Sequence, residues 1–111
     1  MVLVKNVSSK AEFNRYASKE AIVMFSGDSC PACVQAKPLF SKMAMTNKRP
    51  FLIVDRTKLT DLTDSEIGLK IASIPTFVKY KNGKKLSHVV GFDKAQLERI
   101  AKWLDFLISY K

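Results

Sequence analysis

Cysteine and histidine are scarce in this chain of 111 residues, with two cysteines and the single histidine His88. Two cysteines cannot build a disulfide framework, and a length of 111 residues needs none, because a chain of this size buries about two-thirds of its unfolded surface. Zinc usually takes four ligands, so two cysteines and one histidine leave a metal shell incomplete within one chain. No apolar run approaches the roughly 20 residues that cross a bilayer, so no membrane association is expected. Residues 1–10 lack the apolar core of a secretory signal. The expected compartment is therefore reducing and cytoplasmic, where a close cysteine pair is catalytic or metal-binding more often than structural. No internal repeat, low-complexity segment or linker is present, and residues 1–111 read as a single domain.

Acidic residues are also few, 10 against 19 Lys and Arg, for a net charge of +9. The excess serves solubility and attracts polyanions weakly. Lys79, Lys81, Lys84 and Lys85 form a local cluster. No zinc-finger or RNA-recognition motif accompanies it, so nucleic acid is not an expected partner.

Strand and helix patterns alternate along the chain. Residues 2–4 suggest a short strand, and Ser8 or Ser9 caps a helix to about 19 with Phe13 and Tyr16 or Ala17 inward. The apolar run 21–25 fits a strand buried on both faces. Gly27-Asp28-Ser29 breaks it, and a helix runs from Cys30 to about 46 with Leu39, Phe40 and Met43 inward. Residues 51–54 form the next buried strand, and a second helix or an irregular helical turn spans about 60–70. Residues 76–80 and 86–90 are strands joined by a tight turn at Asn82-Gly83. Asp93 caps a last helix whose inner face carries Leu97, Ile100, Ala101, Leu104, Leu107 and Ile108. Arg99, Trp103, Phe106 and Tyr110 fall off that stripe, flanking the core or offering a partner surface. The order predicts an α/β domain with a mixed five-stranded sheet and four helices on both faces.

Both cysteines lie in Cys30-Pro31-Ala32-Cys33, between a strand and a helix. Such a placement reads as a redox motif. Cys30 falls at the helix N-terminus, where unpaired N–H groups and the helix dipole favour a thiolate. Pro31 suits the first helical position, where a missing N–H costs nothing. Cys33 lies about one turn on, able to reach Cys30 and less exposed. Cys30 is thus the expected nucleophile and Cys33 the resolving cysteine. His88 falls in the hairpin and is expected on the surface or in packing. Ile74-Pro75-Thr76 places a proline at a strand start, where it cannot donate a ladder hydrogen bond.

Taken in order, these pieces resemble the thioredoxin family along nearly the whole chain. They are the Cys-x-x-Cys after an apolar strand, Pro38 five residues beyond Cys33, Asp55 at a strand end, Ser73-Ile74-Pro75-Thr76-Phe77, Lys81-Asn82-Gly83, and Gly91. The resemblance implies a thioredoxin-like fold, a cis bond before Pro75 packed on the cysteine pair, and a substrate groove at Ser29, Pro31, Ile74, Pro75 and Gly91. It also implies that the Ile74 backbone pairs with an extended substrate. The expected activity is reduction or exchange of protein disulfides by a monomer or weak dimer with no bound cofactor. An external reductase or glutathione would recycle the pair. Three other readings stand beside it: a glutathione-dependent glutaredoxin, favoured by Pro31; a non-catalytic binding module of the same fold; and metal or cluster binding at a dimer seam.

The chain departs from the family pattern at several positions. Ser29-Cys30-Pro31-Ala32-Cys33-Val34 replaces Trp-Cys-Gly-Pro-Cys-Lys, and a second family tryptophan is Ser26 here. The family's buried aspartate is Met24, and its lysine partner is Phe51. Loss of both together avoids a lone buried charge. It also predicts easier ionisation of Cys30, a more oxidising disulfide and slower resolution by Cys33. Asp28 could stand in as a base but belongs to an exposed turn.

Overall fold

The computed structural model describes residues 4–109, and side chains as far as residue 101. Its elements are β1 (Lys5–Asn6), α1 (Lys10–Ala17), β2 (Glu20–Ser26), α2 (Pro31–Thr46), β3 (Phe51–Asp55), α3 (Asp64–Ile67), β4 (Thr76–Lys81), β5 (Lys84–Val90) and α4 (Lys94–Ser109). The five strands form one sheet in the order β1-β3-β2-β4-β5. β1, β3 and β2 run parallel, and β4 and β5 are antiparallel additions.

Side-chain alternation along β2 divides the core into two layers. Ala21, Val23 and Phe25 face a cluster with Phe13 and Ala17 of α1 and Ile67 of α3. Ile22 and Met24 face the opposite cluster, with Cys33, Ala36 and Phe40 of α2 and Leu97, Ile100 and Ala101 of α4. The helices thus cover both faces of a mixed sheet, as the strand–helix alternation predicts. Between β4 and β5, Asn82 (φ 55°) and Gly83 (φ 78°) both take the left-handed region. A two-residue turn that matches the twist of a hairpin requires this of both central residues.

Four expectations need correction. The first strand is Lys5–Asn6, not residues 2–4; Val4 precedes it, and residues 2 and 3 lie outside the described residues. A two-residue edge strand needs no apolar run, since its parallel pairing with Leu52 and Ile53 rests on backbone bonds. Of the helix or irregular helical turn expected over 60–70, the structure has a single turn, Asp64–Ile67. Thr63 and Glu66 form a reciprocal cap at its start, and Gly68 at φ 84° ends it one turn later. The first helix stops at Ala17 rather than 19. Finally, Lys79 has no solvent exposure and lies on β4 opposite Ile22. It is an interior residue and not part of a surface cluster with Lys81, Lys84 and Lys85. The side chains of Trp103, Leu104, Phe106, Leu107, Ile108 and Tyr110 lie outside those described, while Arg99 is exposed as expected.

Candidate active site

β2 ends at Ser26, and its parallel direction delivers the chain to the end of the sheet where α2 begins. Gly27-Asp28-Ser29 makes the turn, with Ser29 at φ 53° and exposed. Cys30 is the N-cap of α2 in extended conformation (φ −122°, ψ 92°), with Pro31 directly after it. The Cys33 N–H donates to Cys30 Sγ at 3.2 Å, and the Val34 N–H donates to the Cys30 carbonyl at 3.1 Å. Sulfur therefore occupies the place of the oxygen of an ordinary N-cap residue and receives one of the helix's orphan N–H groups. The two cysteines are joined in a disulfide, with Cα atoms 5.2 Å apart. Cys33 is only 1% exposed, whereas Cys30 is half-buried. An incoming thiolate therefore meets Cys30 first.

The facing wall comes from the loop before β4. The Ile74–Pro75 peptide bond is cis, and the Ile74 carbonyl oxygen lies 3.7 Å from Cys30 Sγ. Two hydrogen bonds hold this loop. The Gly91 N–H donates to the Pro75 carbonyl at 2.7 Å, and the Thr76 hydroxyl donates to the Ser73 carbonyl at 2.7 Å. Gly91 takes φ 81°, which suits a glycine. Cys30, Cys33, Ile74, Pro75 and Gly91 thus form one connected site. Pro31 and Ser29 flank Cys30 on its exposed side.

Gly27 belongs to the same site and was not among the candidates from sequence. A Cβ there would stand 2.9 Å from Ile74 Cδ1 and 3.5 Å from Thr57 Cγ2. The bare backbone lets the cis-proline loop approach the cysteine turn. The available clue was a glycine directly after the buried strand, which reads equally well as a simple breaker.

Met24 and Phe51 both have no exposure and share the apolar cluster that encloses Cys33. Lys79, also without exposure, lies on β4 opposite Ile22 and two residues from Phe77, both members of that cluster. Asp28 is exposed on its turn. His88 is exposed on β5, its Nδ1 3.3 Å from Lys85 Nζ, and forms no part of the site. Asp55 ends β3, where its carboxylate accepts the Thr57 N–H at 2.9 Å and the Thr57 hydroxyl. The Thr57 hydroxyl bond, foremost, and the Thr57 N–H hold its pKa below the usual carboxylate value.

Residues 4–105 match the family model described as Thioredoxin. Thioredoxin 1 of Plasmodium falciparum is 31% identical over 101 residues, covering 88% of this chain and 94% of that protein. Thioredoxin-1 of Schizosaccharomyces pombe is 31% identical over 103 residues, covering 90% and 97%. Among solved structures, the oxidised Plasmodium falciparum thioredoxin superposes with a TM-score of 0.81 at 30% identity, covering 91% of this chain and 97% of that one.

Proposed function

Because the chain belongs to the thioredoxin family and is a thiol–disulfide oxidoreductase, we propose that Cys30 is its nucleophile and Cys33 its resolving cysteine. The arrangement that carries this reading is a half-buried sulfur capping α2, bonded to a buried partner and facing the Ile74 carbonyl at 3.7 Å. In the reduced protein, the Cys30 thiolate attacks one sulfur of a substrate disulfide. One substrate thiolate leaves, and a mixed disulfide forms. Cys33, deprotonated as it reacts, attacks Cys30 Sγ. The second substrate thiolate departs and the Cys30–Cys33 bond closes. Two electrons pass to the substrate, whose thiolates take up two protons. An external dithiol reductase, or glutathione, returns two electrons through attack on Cys30.

Helix geometry supplies the activation. The first-turn N–H groups stabilise negative charge on the capping sulfur and dissipate when the helix frays, so the thiolate is bound to the fold itself. Binding energy comes from the backbone beside Pro75, where an extended substrate segment pairs with Ile74 and lies against Gly91. Ser29 and Pro31 form the exposed rim. The apolar enclosure of Cys33 favours a neutral thiol there, which orders the two roles. A reducing, cytoplasmic compartment and a part in redox homeostasis suit a monomeric pair that must be recycled after each turnover.

The test is insulin-disulfide reduction with dithiol and with glutathione as donors. Cys30→Ser should abolish turnover. Cys33→Ser should trap substrate as a covalent adduct on Cys30. Full activity in Cys30→Ser protein would overturn the assignment. Dithiol-supported turnover well above that with glutathione separates this chemistry from a glutaredoxin's.

A further inference from the structure

A cavity of about 360 Å³ opens at the carboxyl ends of β1, β2 and β3, and thiol exchange makes no use of it. Its volume falls within the roughly 300–1,000 Å³ of small-molecule sites, and the carboxyl ends of strands in open α/β sheets are where ligands commonly bind. We propose that it binds a small heteroaromatic acid, a flat ring with an N–H donor and one carboxylate.

The walls and polar groups specify that chemistry. Val7, Ile53 and Leu59, each 7–8% exposed, supply apolar surface for a ring. Ser26 lines the cavity at 2% exposure, and its hydroxyl bonds to no other described residue. That hydroxyl lines the open cavity, so a ligand's polar group can bond it in place of water. Ser26 pairs with Asp55 in the parallel register, which sets the two side chains on one face of the sheet. Asp55 uses Oδ1 for Thr57, leaving Oδ2 to accept a ring N–H. Asp55 also repels anions, so the ligand's acid must sit away from it. Lys58 stands on the same turn as Asp55, its N–H donating to the Asp55 carbonyl at 3.1 Å, so an acid held there would lie close to the Asp55 carboxylate. Lys37 forms no ion pair among the described residues and lines the same cavity from α2. It is therefore the carboxylate's partner.

Binding needs neither sulfur, so it is measured on the oxidised protein by calorimetry, with amide NMR shifts to locate it. Indole-3-acetate is the probe, beside indole and inorganic phosphate. Indole-3-acetate should bind saturably and, at ten times its Kd, raise Tm by about 6 °C. Indole should bind at least about tenfold more weakly, as loss of a charge-assisted bond implies, and phosphate should not bind. Lys37→Met should weaken indole-3-acetate about tenfold, and Lys58→Met less than about threefold. Ser26→Trp should fill the cavity and abolish binding; Lys37 is exposed, so its variant reports even if Ser26→Trp fails to fold. Absence of saturable binding up to about 10 mM, about ten times a Kd of 1 mM, would overturn the assignment. So would shifts remote from Ser26 and Leu59, undiminished binding by Lys37→Met, or indole binding as tightly as its acid.

Discussion

Replacing Met24 by aspartate tests whether the apolar surroundings of Cys33 tune the disulfide. Met24 has no exposure and is paired with Ile53 on one side and Phe77 on the other. Loss of its side chain costs about 2–5 kcal/mol, by the measured range for Met→Ala. Burying the new carboxyl adds about 1–3 kcal/mol of desolvation. The total of about 3–8 kcal/mol is a large part of the roughly 5–15 kcal/mol that holds a domain folded. Urea denaturation measures it. Burial opposes ionisation, so the new carboxyl has a folded pKa above its unfolded value of about 3.9. The folded variant then holds its proton more tightly than the unfolded chain. The deficit is smallest below about pH 4 and grows by up to about 1.4 kcal/mol per pH unit until the folded pKa is passed. Once ionised, the carboxylate also opposes a thiolate nearby. The reduced form is destabilised and the potential moves negative, about 30 mV for each 1.4 kcal/mol. The natural protein should lie above about −270 mV, the usual thioredoxin value. The reasoning fails if the variant loses under about 1 kcal/mol at pH 7. It also fails if the deficit does not grow from pH 5 to pH 8, or if the potential moves positive.

Other perturbations address the frame that holds the site. The Tyr80 hydroxyl donates to the Ile67 carbonyl at 2.7 Å in the buried core. Tyr80→Phe should cost about 1–3 kcal/mol, read as a lower urea midpoint with an unchanged slope. Thr63→Ala removes the side-chain half of the α3 cap and should cost about 1 kcal/mol, with faster amide exchange at Glu66. Acid should weaken the fold through three carboxylates. The Ser8 N–H and Lys5 hold Glu12 below the usual value, the Thr57 hydroxyl does so for Asp55, and the Thr63 N–H and Lys10 do so for Glu66. Depressed folded pKa values give stability that is present above the unfolded values, near pH 4, and lost as pH falls through the folded ones. Urea midpoints between pH 6 and 2 should fall more steeply for the natural chain than for Glu12→Gln/Asp55→Asn/Glu66→Gln. Equal slopes would refute this.

What the sequence makes legible here is what depends on local spacing. Cys30 at a helix start, Pro75 at a strand start and Asn82-Gly83 between strands each carry their geometry in a few adjacent residues, and the structure places all three as read. The four-residue α3 was less legible, because residues 60–70 read equally as a helix or as an irregular helical turn. Thr63, Glu66 and Gly68 were the better guides, since caps bound a helix whatever its interior prefers. Lys79 shows a different limit. A lysine reads as surface, yet alternation on β4 puts it on the same face as Phe77, where burial depends on what packs above. The approach of Gly27 to Ile74 joins residues 47 positions apart, a contact that no local pattern encodes.

Ser26 joins these limits to function. In sequence it is a small polar residue directly after an apolar run, standing where the resembled family has a tryptophan. Its burial beside Asp55 makes it instead the floor of an open volume at the end of the sheet. A larger side chain at that point would occupy the volume and close it. The same end of the sheet holds the cysteine turn, because parallel strands bring all their carboxyl ends to one side. A catalytic pair and an open cavity therefore share one edge for a topological reason. Only the pair is written in adjacent residues; the cavity exists because distant segments fail to fill the space between them.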